Sequence, residues 1–229
     1  MTTIIVIPYR NRERHLKYFI DNSIPLLKKH MDNMKVVIVE QTQGKPFNRG
    51  KLLNVVFKEY QDECKYIITN DVDINPTKET IEKLYIKKVG NDEIMGIYTS
   101  HCNTLGGIIK LNKNIFDKIN GFPNNIWGWG VEDKALQNRA EFKKVTITKN
   151  ILNNDPKKDA YFKIFNDIND RDRRFEAQHF QLHYRMWKTL SNIEKNKYII
   201  GNGIDSLNYK LVKKEIIEEG VIEKIIVDI

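Results

Sequence analysis

Short β-branched apolar runs alternate with segments of helical periodicity along the first two-thirds of the chain. The apolar runs predict strands at 3–7, 35–40, 66–69, 94–98, 107–111 and 145–147, with a terminal strand at 223–228. Helices are predicted between them over 15–29, 49–60, 76–88 and 113–119, and from Glu132 onward. This alternation favours an α/β fold, a mostly parallel central sheet flanked by helices.

Capping residues predict where two of these helices begin. Asn48 is suited to cap the helix at 49–60, and Asn75 with Pro76 predicts a cap and first-turn proline for the next one. Further along, 150–170 shows no clean period and is predicted to be a loop, whereas 171–196 is predicted to be helical.

Size and composition indicate one folded domain, or at most two small ones. The 229 residues are 41% hydrophobic and 10% aromatic, enough for a core, and no repeat or linker divides them. No apolar run reaches the roughly 18–20 residues of a membrane span, so none is expected. Residues 4–7 resemble a first strand more than a signal peptide. Cys64 and Cys102 form at most one bridge and suit a reducing compartment.

The net charge of +8, from 38 basic and 30 acidic residues, favours an anionic partner. Acidic residues are interleaved almost everywhere, so a dedicated nucleic-acid-binding stripe is not the first expectation. A phosphate-bearing small molecule, an acidic membrane surface and an ordinary solvated surface all stay open. Aromatic and basic residues do alternate over 184–188, but their helical spacing is typical of an amphipathic helix.

Two carboxylates follow an apolar strand directly, in the sequence Asp71-Val72-Asp73. Residues two apart in an extended chain project to the same side, and ligands of α/β sheets bind beyond the carboxyl ends of strands. Such a pair suits a hard divalent cation with diphosphate oxygens. It is equally consistent with a turn-capping device.

A loop rich in glycine and tryptophan precedes Glu132 and Asp133, over 121–131. Indole faces in such a loop suit a mobile flap that stacks on a sugar. The acidic pair begins a helix, whose dipole stabilises negative charge, so one carboxylate is available as a general base or as an acceptor for sugar hydroxyls. A structural loop anchored by tryptophan explains the same pattern.

Two basic segments complete the candidate chemistry, 7–12 at a strand end and 47–51 at a helix start. Arginine offers a bidentate fork for phosphate, and the beginning of a helix binds anions. All four segments are predicted to lie on the same rim of the sheet.

The chain resembles the β-1,4-galactosyltransferase family in order and approximate spacing of motifs. The matching strings are IPYRNR (7–12), FNRGKLLNV (47–55), DVD (71–73), GG (106–107), NGFPNN (120–125), WGWGVED (127–133) and GIDSLNY (203–209). The match is strong over 4–140 and loose over 200–229. Several motifs in register are far more specific than one.

The resemblance implies a single GT-A (Rossmann-like) domain over 1–229, with a nucleotide-binding half at about 1–110 and an acceptor and flap half at about 111–229. It implies an inverting, Mn²⁺-dependent transfer of galactose or a related hexose from a UDP-sugar to a carbohydrate acceptor, with Mg²⁺ as the alternative ion. Asp133 is then the catalytic base, Glu132 binds sugar hydroxyls and Trp129 is the flap tryptophan. Residues implied to surround the nucleotide are Pro8, Tyr9, Arg10, Arg12, Phe47, Arg49, Asp71, Val72 and Gly107.

Three departures from the family pattern affect these expectations. Lys134 stands where the family has an acceptor-binding aspartate, so the usual acceptor is in doubt. Asp73 is the implied metal ligand, but the family's histidine ligand is absent at its usual distance, which leaves His179 and His183 as substitutes. Thr104 replaces a tyrosine that narrows the donor pocket, which predicts tolerance of UDP-GalNAc.

Two other functions stay open at this point. One is a UDP-sugar-binding or glycan-binding module without turnover, and the other is a sugar nucleotidyltransferase, which the lack of glycine in 7–12 disfavours. The expected location is cytoplasmic, or a Golgi-type lumen if the sequence belongs to a longer chain.

Overall fold

The computed structural model describes residues 2–99, 104–128, 130–165 and 177–229, and their side chains except those of 177–182. The strands are β1 (Thr2–Tyr9), β2 (Met34–Gln41), β3 (Cys64–Asn70), β4 (Ile74–Pro76), β5 (Glu93–Thr99), β6 (Leu105–Asn112), β7 (Thr146–Leu152), β8 (Phe162–Ile164), β9 (Lys210–Glu218) and β10 (Ile222–Asp228). Eight of them form one sheet in the order β7-β5-β6-β3-β1-β2-β10-β9, and β4 pairs separately with β8.

The helices cover both faces of this sheet. They are α1 (Glu13–Tyr18), α2 (Ile24–His30), α3 (Arg49–Tyr60), α4 (Lys78–Thr80), α5 (Lys113–Lys118), α6 (Glu132–Phe142), α7 (Lys158–Tyr161), α8 (Ala177–Thr189) and α9 (Asn192–Gly201). A π-helical turn, Phe19–Ser23, joins α1 to α2, and a second one, Ile81–Tyr85, extends α4. A 3₁₀ turn, Ile204–Ser206, follows α9.

The strand β1 shows how the two cores form. Ile4 and Val6 pack into the cluster beneath α3, whereas Ile5 and Ile7 pack into the cluster beneath α1 and α2. Successive side chains of a strand point to opposite faces, so a strand buried on both faces must be apolar throughout. In the described part of the chain, four of the seven ladders of the main sheet are parallel. The predicted α/β architecture is confirmed.

The predicted helix start at Asn75 and Pro76 is wrong. Both residues lie in β4, which pairs with β8, and α4 begins later. Its cap is Thr77, whose hydroxyl accepts a hydrogen bond from the Thr80 amide at 3.4 Å. The partner strand is almost ninety residues away in the chain, so a local capping signal could not reveal this pairing.

Two further assignments change in the last third of the chain. The predicted loop over 150–170 contains α7 and β8, and the predicted helix over 171–196 is divided, within its described residues, into α8 and α9. The division lies at Ser191, which forms a capping box with Glu194 and so starts a new helix. The edge strand β9 was not predicted, because its charged and apolar residues do not alternate.

The pairing of β3 with β6 determines where the candidate active site lies. These strands are antiparallel, so the start of β6 lies beside the end of β3. The Asp71 amide donates to the Gly107 carbonyl at 3.1 Å, and this hydrogen bond joins the end of β3 to the start of β6. In the described ranges, no helix is both long enough and apolar enough to cross a bilayer.

Candidate active site

The start of α3 is fixed by Asn48, as the sequence predicts. Its side-chain oxygen accepts a hydrogen bond from the Lys51 backbone amide at 2.9 Å. Its own backbone amide donates to Oε1 of Gln41 at 2.8 Å. The cap is completely buried and so has a defined orientation. Arg49, the first residue of α3, is therefore directed toward the rim of the sheet.

Arg49 brings three carboxylates together. Its Nε lies 2.6 Å from Oδ1 of Asp71, and its Nη1 lies 2.9 Å from Oδ1 of Asp133. The same Nη1 lies 3.8 Å from Oε1 of Glu132. The end of β3 and the start of α6 therefore converge on one guanidinium, which is only 10% exposed. The structure therefore brings Arg49, Asp71, Glu132 and Asp133 into one cluster, at the rim of the sheet where the sequence predicts them.

The charge of this cluster is unbalanced, because three carboxylates share one cation. Burial raises the pKa of Asp133 well above its usual range, and Glu132 and Asp71 raise it further, while Arg49 acts in the opposite direction. Burial likewise raises the pKa of Glu132. Although burial opposes its charge, the three carboxylates raise the pKa of Arg49, which stays cationic. A carboxylate of raised basicity is suited to proton abstraction.

One side-chain oxygen of Glu132 lacks a hydrogen-bond partner within the described residues. Its side chain is buried, and within the described residues its Oε2 makes no hydrogen bond. Buried carboxylate oxygens are nearly always satisfied, so this atom fits a ligand hydroxyl. The preceding Val131 has a left-handed backbone, with φ of 80°, which is costly for a β-branched residue and typical of functional sites.

Asp73 faces the same rim from the turn after β3. Its carboxylate lies 3.9 Å from Nη1 of Arg12, and its carbonyl accepts from the Phe165 amide at 2.9 Å. Burial, followed by the charges of Asp73 and Asp71, raises the pKa of Tyr98 to about 12. Both aspartates therefore lie near one phenol, although the hydrogen bond from the Ile74 amide to the Asp71 carbonyl at 3.0 Å shows that the segment between them is a turn and not the extended chain that the sequence suggested.

The carboxylate of Asp73 is a hard oxygen donor, the kind of ligand that Mn²⁺ and Mg²⁺ prefer. Asp73 is therefore chemically suited to hold such an ion. Among the described residues, however, no three His, Cys, Asp or Glu side chains are grouped to hold a metal ion. The described chain thus offers one carboxylate for the ion and not a complete ligand set.

The structure places His183 beside cationic and aromatic side chains. It is buried on α8, with its ring 6.0 Å from that of Tyr198. Burial, and then the charge of Arg139, lowers its pKa to about 4. These contacts give no support to a role as metal ligand, which stays a prediction. The side chain of His179, and the whole of Cys102 and Trp129, lie outside the described residues.

The end of β1 forms the other wall of the rim. Pro8 and Tyr9 are buried, and burial, with the nearby Glu13, raises the pKa of Tyr9 to about 12. The guanidinium of Arg10 donates to the carbonyl of Lys45 at 2.7 Å and lies 5.3 Å above the ring of Phe47. The two predicted basic segments therefore touch each other.

Gly107 is required by its surroundings. Its φ is +70°, and a Cβ atom there would lie 2.6 Å from Cδ1 of Tyr98 and 3.0 Å from Cδ1 of Ile74. Val72 is buried in the same apolar cluster as Tyr98 and Ile74, and its place beside the nucleotide stays a prediction. Only glycine fits between Asp71 and this cluster.

Sequence reasoning missed Arg139, which holds the beginning of the glycine-rich and tryptophan-rich loop. Its Nη1 donates to the carbonyls of Asn120 and Gly121, both at 2.9 Å, and its Nη2 donates to that of Asn202. Arg139 is fully buried in α6. An arginine on the apolar face of a predicted helix is the signal that could have indicated it.

Known proteins match this chain over most of its length. Two family models match: the N-terminal region of glycosyl transferase group 7 over 1–86, and the N-terminal domain of galactosyltransferase over 95–162. Human β-1,4-galactosyltransferase 4 is 31% identical over 220 residues, which are 92% of this chain and 59% of that protein. Bovine β-1,4-galactosyltransferase 1 is 36% identical over 152 residues, 63% of this chain and 38% of that protein. The chain therefore spans less than two thirds of these relatives.

Solved structures agree on the fold. Drosophila β-1,4-galactosyltransferase 7, a mutant in complex with manganese, UDP-Gal and xylobiose, has a TM-score of 0.77 at 21% identity, covering 100% of this chain and 94% of that one. A mannosyltransferase from Pyrobaculum calidifontis, in complex with GDP-Man and Mn²⁺, has a TM-score of 0.57 at 10% identity, covering 87% and 73%.

The fold is thus that of the GT-A glycosyltransferases, as the sequence predicts. Within that class, the chain belongs to the β-1,4-galactosyltransferase family.

Proposed function

We propose that this chain transfers galactose or N-acetylgalactosamine from a UDP-sugar to a hydroxyl of a carbohydrate acceptor, with inversion and with a divalent metal. The observation that carries the proposal is the convergence of Asp71 and Asp133 on Arg49, which joins the nucleotide side of the cleft to the acidic start of α6. The Drosophila relative in complex with manganese, UDP-Gal and xylobiose supports the same chemistry.

Asp133 is the proposed base. Its Oδ1 is held by Arg49, so its Oδ2 is the oxygen that accepts the proton of the acceptor hydroxyl. The acceptor oxygen then bonds to the anomeric carbon on the face opposite UDP, and the bond from that carbon to the diphosphate breaks with its electron pair. Burial raises the pKa of Asp133, which makes this carboxylate a stronger base than an ordinary aspartate.

Glu132 is proposed to bind the sugar. Its buried, unpartnered Oε2 accepts a hydrogen bond from a sugar hydroxyl, while its Oε1 stays near Arg49. A buried acceptor without a partner discriminates strongly for a ligand that supplies one. Trp129 stays the proposed flap residue over donor and acceptor.

The nucleotide is proposed to lie along the end of β1. Arg10 and Phe47 form a cationic and aromatic wall there, with Tyr9 beneath it. Asp73 would hold Mn²⁺, or Mg²⁺, and the ion supplies charge neutralisation for the departing diphosphate. His179 and His183 stay proposed ligands, and a cytoplasmic location stays a prediction.

Turnover of four donors tests this proposal. UDP-Gal, UDP-GalNAc, UDP-GlcNAc and UDP-Glc are each incubated with Mn²⁺ and a panel of acceptors, and products are detected by mass spectrometry. We expect transfer from UDP-Gal or UDP-GalNAc. UDP binding by calorimetry without turnover of any donor would instead identify a binding module.

The donor choice has its own test at Thr104. Hydrolysis of UDP-GalNAc by the wild type and its loss in Thr104→Tyr would support the wider pocket. Hydrolysis of UDP-Gal alone by the wild type would contradict it.

A further inference from the structure

The strand β9 at the edge of the main sheet exposes aliphatic side chains. In the described part of the chain it pairs with β10 alone. Four aliphatic side chains on it, Leu211, Val212, Ile216 and Ile217, are 40–58% exposed. Exposed edges of this kind pair readily with another strand, so proteins normally keep such side chains away from them.

The sequence of β9, Lys-Leu-Val-Lys-Lys-Glu-Ile-Ile-Glu, is complementary to its own reverse. We propose that β9 pairs antiparallel with β9 of a second copy, so that the two sheets continue across a twofold axis at Lys214. In that register the facing pairs are Lys210 with Glu218, Leu211 with Ile217, Val212 with Ile216, and Lys213 with Glu215. Opposite charges and aliphatic pairs face each other on both sides of the axis, and each pair occurs twice.

This complementarity selects one register over its neighbours. A shift by one residue in one direction sets Lys213 against Lys214 and Val212 against Glu215. A shift in the other direction sets Leu211 against Glu218. Parallel pairing in register sets every lysine against itself. Like charges that face each other across a ladder destabilise it, and a charged side chain that faces an aliphatic one gains no partner. The antiparallel register centred on Lys214 has the most complementary pairs and is therefore the most favourable.

The single like-charge pair lies at the axis, and each copy neutralises it internally. Lys214 Nζ lies 2.8 Å from Oε2 of Glu223 on β10. Although burial favours its neutral form, hydrogen bonds from Lys214, Tyr60 and Lys35 lower the pKa of Glu223 to about 2. Glu223 is therefore ionised at neutral pH and offsets the lysine.

A groove beside β9 extends the apolar surface. It encloses about 610 Å³ and is lined by Ile20, Ile24, Pro25, Ile217 and Ile222, with Lys28, Lys29 and Glu218 at its polar margin. In the proposed register Leu211 of the second copy faces Ile217, at the edge of this groove. The β9 strand of the second copy would therefore cover apolar surface of the groove as well as the β9 strand with which it pairs.

Two features of β9 oppose pairing. The ladder with β10 skips Val212 and Ile217, which marks two β-bulges, and the strand carries three lysines. Bulges and lysines are devices that block edges. We therefore expect a dimer of moderate affinity held by a short ladder.

The test uses two variants whose charges are complementary. Lys210→Glu with Lys213→Glu makes the charged pairs on both sides of the axis repulsive and negative, and Glu215→Lys with Glu218→Lys makes them repulsive and positive. Sedimentation equilibrium is measured for the wild type, for each variant and for their equimolar mixture. Circular dichroism and UDP binding check that each variant is folded, since none of these residues lies in the proposed active site.

We expect the wild type to dimerise, each variant alone to dimerise about tenfold more weakly or not at all, and the mixture to recover the dimer as a heterodimer. In the mixture, the acidic side chains introduced at positions 210 and 213 of one copy face the basic ones introduced at 218 and 215 of the other, so the charged pairs of this register become attractive again. Dimerisation of the wild type distinguishes this register from parallel pairing, which would set every lysine against itself. A wild type that stays monomeric at all concentrations, or variants that dimerise as well as the wild type, would overturn the proposal. Failure here leaves the glycosyltransferase proposal untouched, because turnover is measured separately.

Discussion

Arg49 Nη1 lies 2.9 Å from Asp133 Oδ1, so the first residue of α3 holds the carboxylate at the start of α6. The same guanidinium binds Asp71 through Nε. A planar fork with five donors can bind two carboxylates at a fixed angle, which lysine cannot do. Arg49 therefore orients the proposed base and also sets its charge environment.

Asp133→Asn is expected to abolish transfer and to leave UDP binding nearly unchanged. The amide keeps the shape of the side chain but cannot accept the proton, and general-base catalysis contributes about 10²–10⁴-fold in rate. The measurement is turnover of the accepted donor beside calorimetric titration of UDP. Transfer at the wild-type rate would show that another group is the base.

Arg49→Ala is expected to destabilise the fold by about 3–5 kcal/mol, because it leaves buried carboxylates without their cation. Their pKa values then rise further, so the folded variant binds protons more readily, and its deficit in free energy of unfolding should shrink as the pH falls from 7 toward 5. Urea unfolding at both pH values measures this. The control is Lys58→Ala, an exposed position on the same helix, for which we expect a small effect. A deficit independent of pH would argue against the shared charge.

Asp73→Ala is expected to weaken UDP binding only when Mn²⁺ is present. The substitution removes the proposed ligand oxygen and, with it, the contribution of the ion to diphosphate binding. Titrations of UDP with and without Mn²⁺ provide the comparison. Asp62→Ala, an exposed aspartate in the turn after α3, is the matched control. Equal losses with and without the ion would assign Asp73 a structural role instead.

The pH dependence of kcat/KM is expected to reveal the coupling between Glu132 and Asp133. Burial, together with the charge of Glu132, raises the pKa of Asp133. The fall of kcat/KM on the acidic side of the wild-type pH profile, its acidic limb, should therefore lie above the ordinary aspartate value of about 3.9. Glu132→Gln removes that charge and should move the limb to lower pH, whatever its effect on the maximal rate. Glu141→Gln, at the exposed end of α6, should leave the limb in place.

Gly107→Ala is expected to cost roughly 2–4 kcal/mol in free energy of unfolding, since a positive φ is strained for alanine and the new Cβ would overlap Tyr98. Urea unfolding measures the cost. Gly201→Ala is the control, because nothing lies within 4 Å of the added atom and its φ is not left-handed. Equal effects of the two substitutions would exclude the steric argument.

Local sequence patterns predicted many of the helices and strands. The helix Arg49–Tyr60 and its Asn48 cap were predicted at the residues where the structure has them, since capping and apolar spacing are encoded within a few residues. The short pairing of β4 with β8 was not predicted, and neither was Arg139 as the anchor of the loop at Asn120. Both depend on contacts between segments that lie far apart in the sequence.

The sequence by itself determined the main strands and helices of the first two-thirds of the chain, the positions of the acidic and basic motifs at strand ends, and the family. Those features follow from periodicity and from residue types at fixed spacing, which the chain carries locally. Only the tertiary structure decided that Asp71, Glu132 and Asp133 share one guanidinium, and that His183 lies beside Arg139. Distances between side chains and the burial that shifts their pKa values arise only when distant segments pack together.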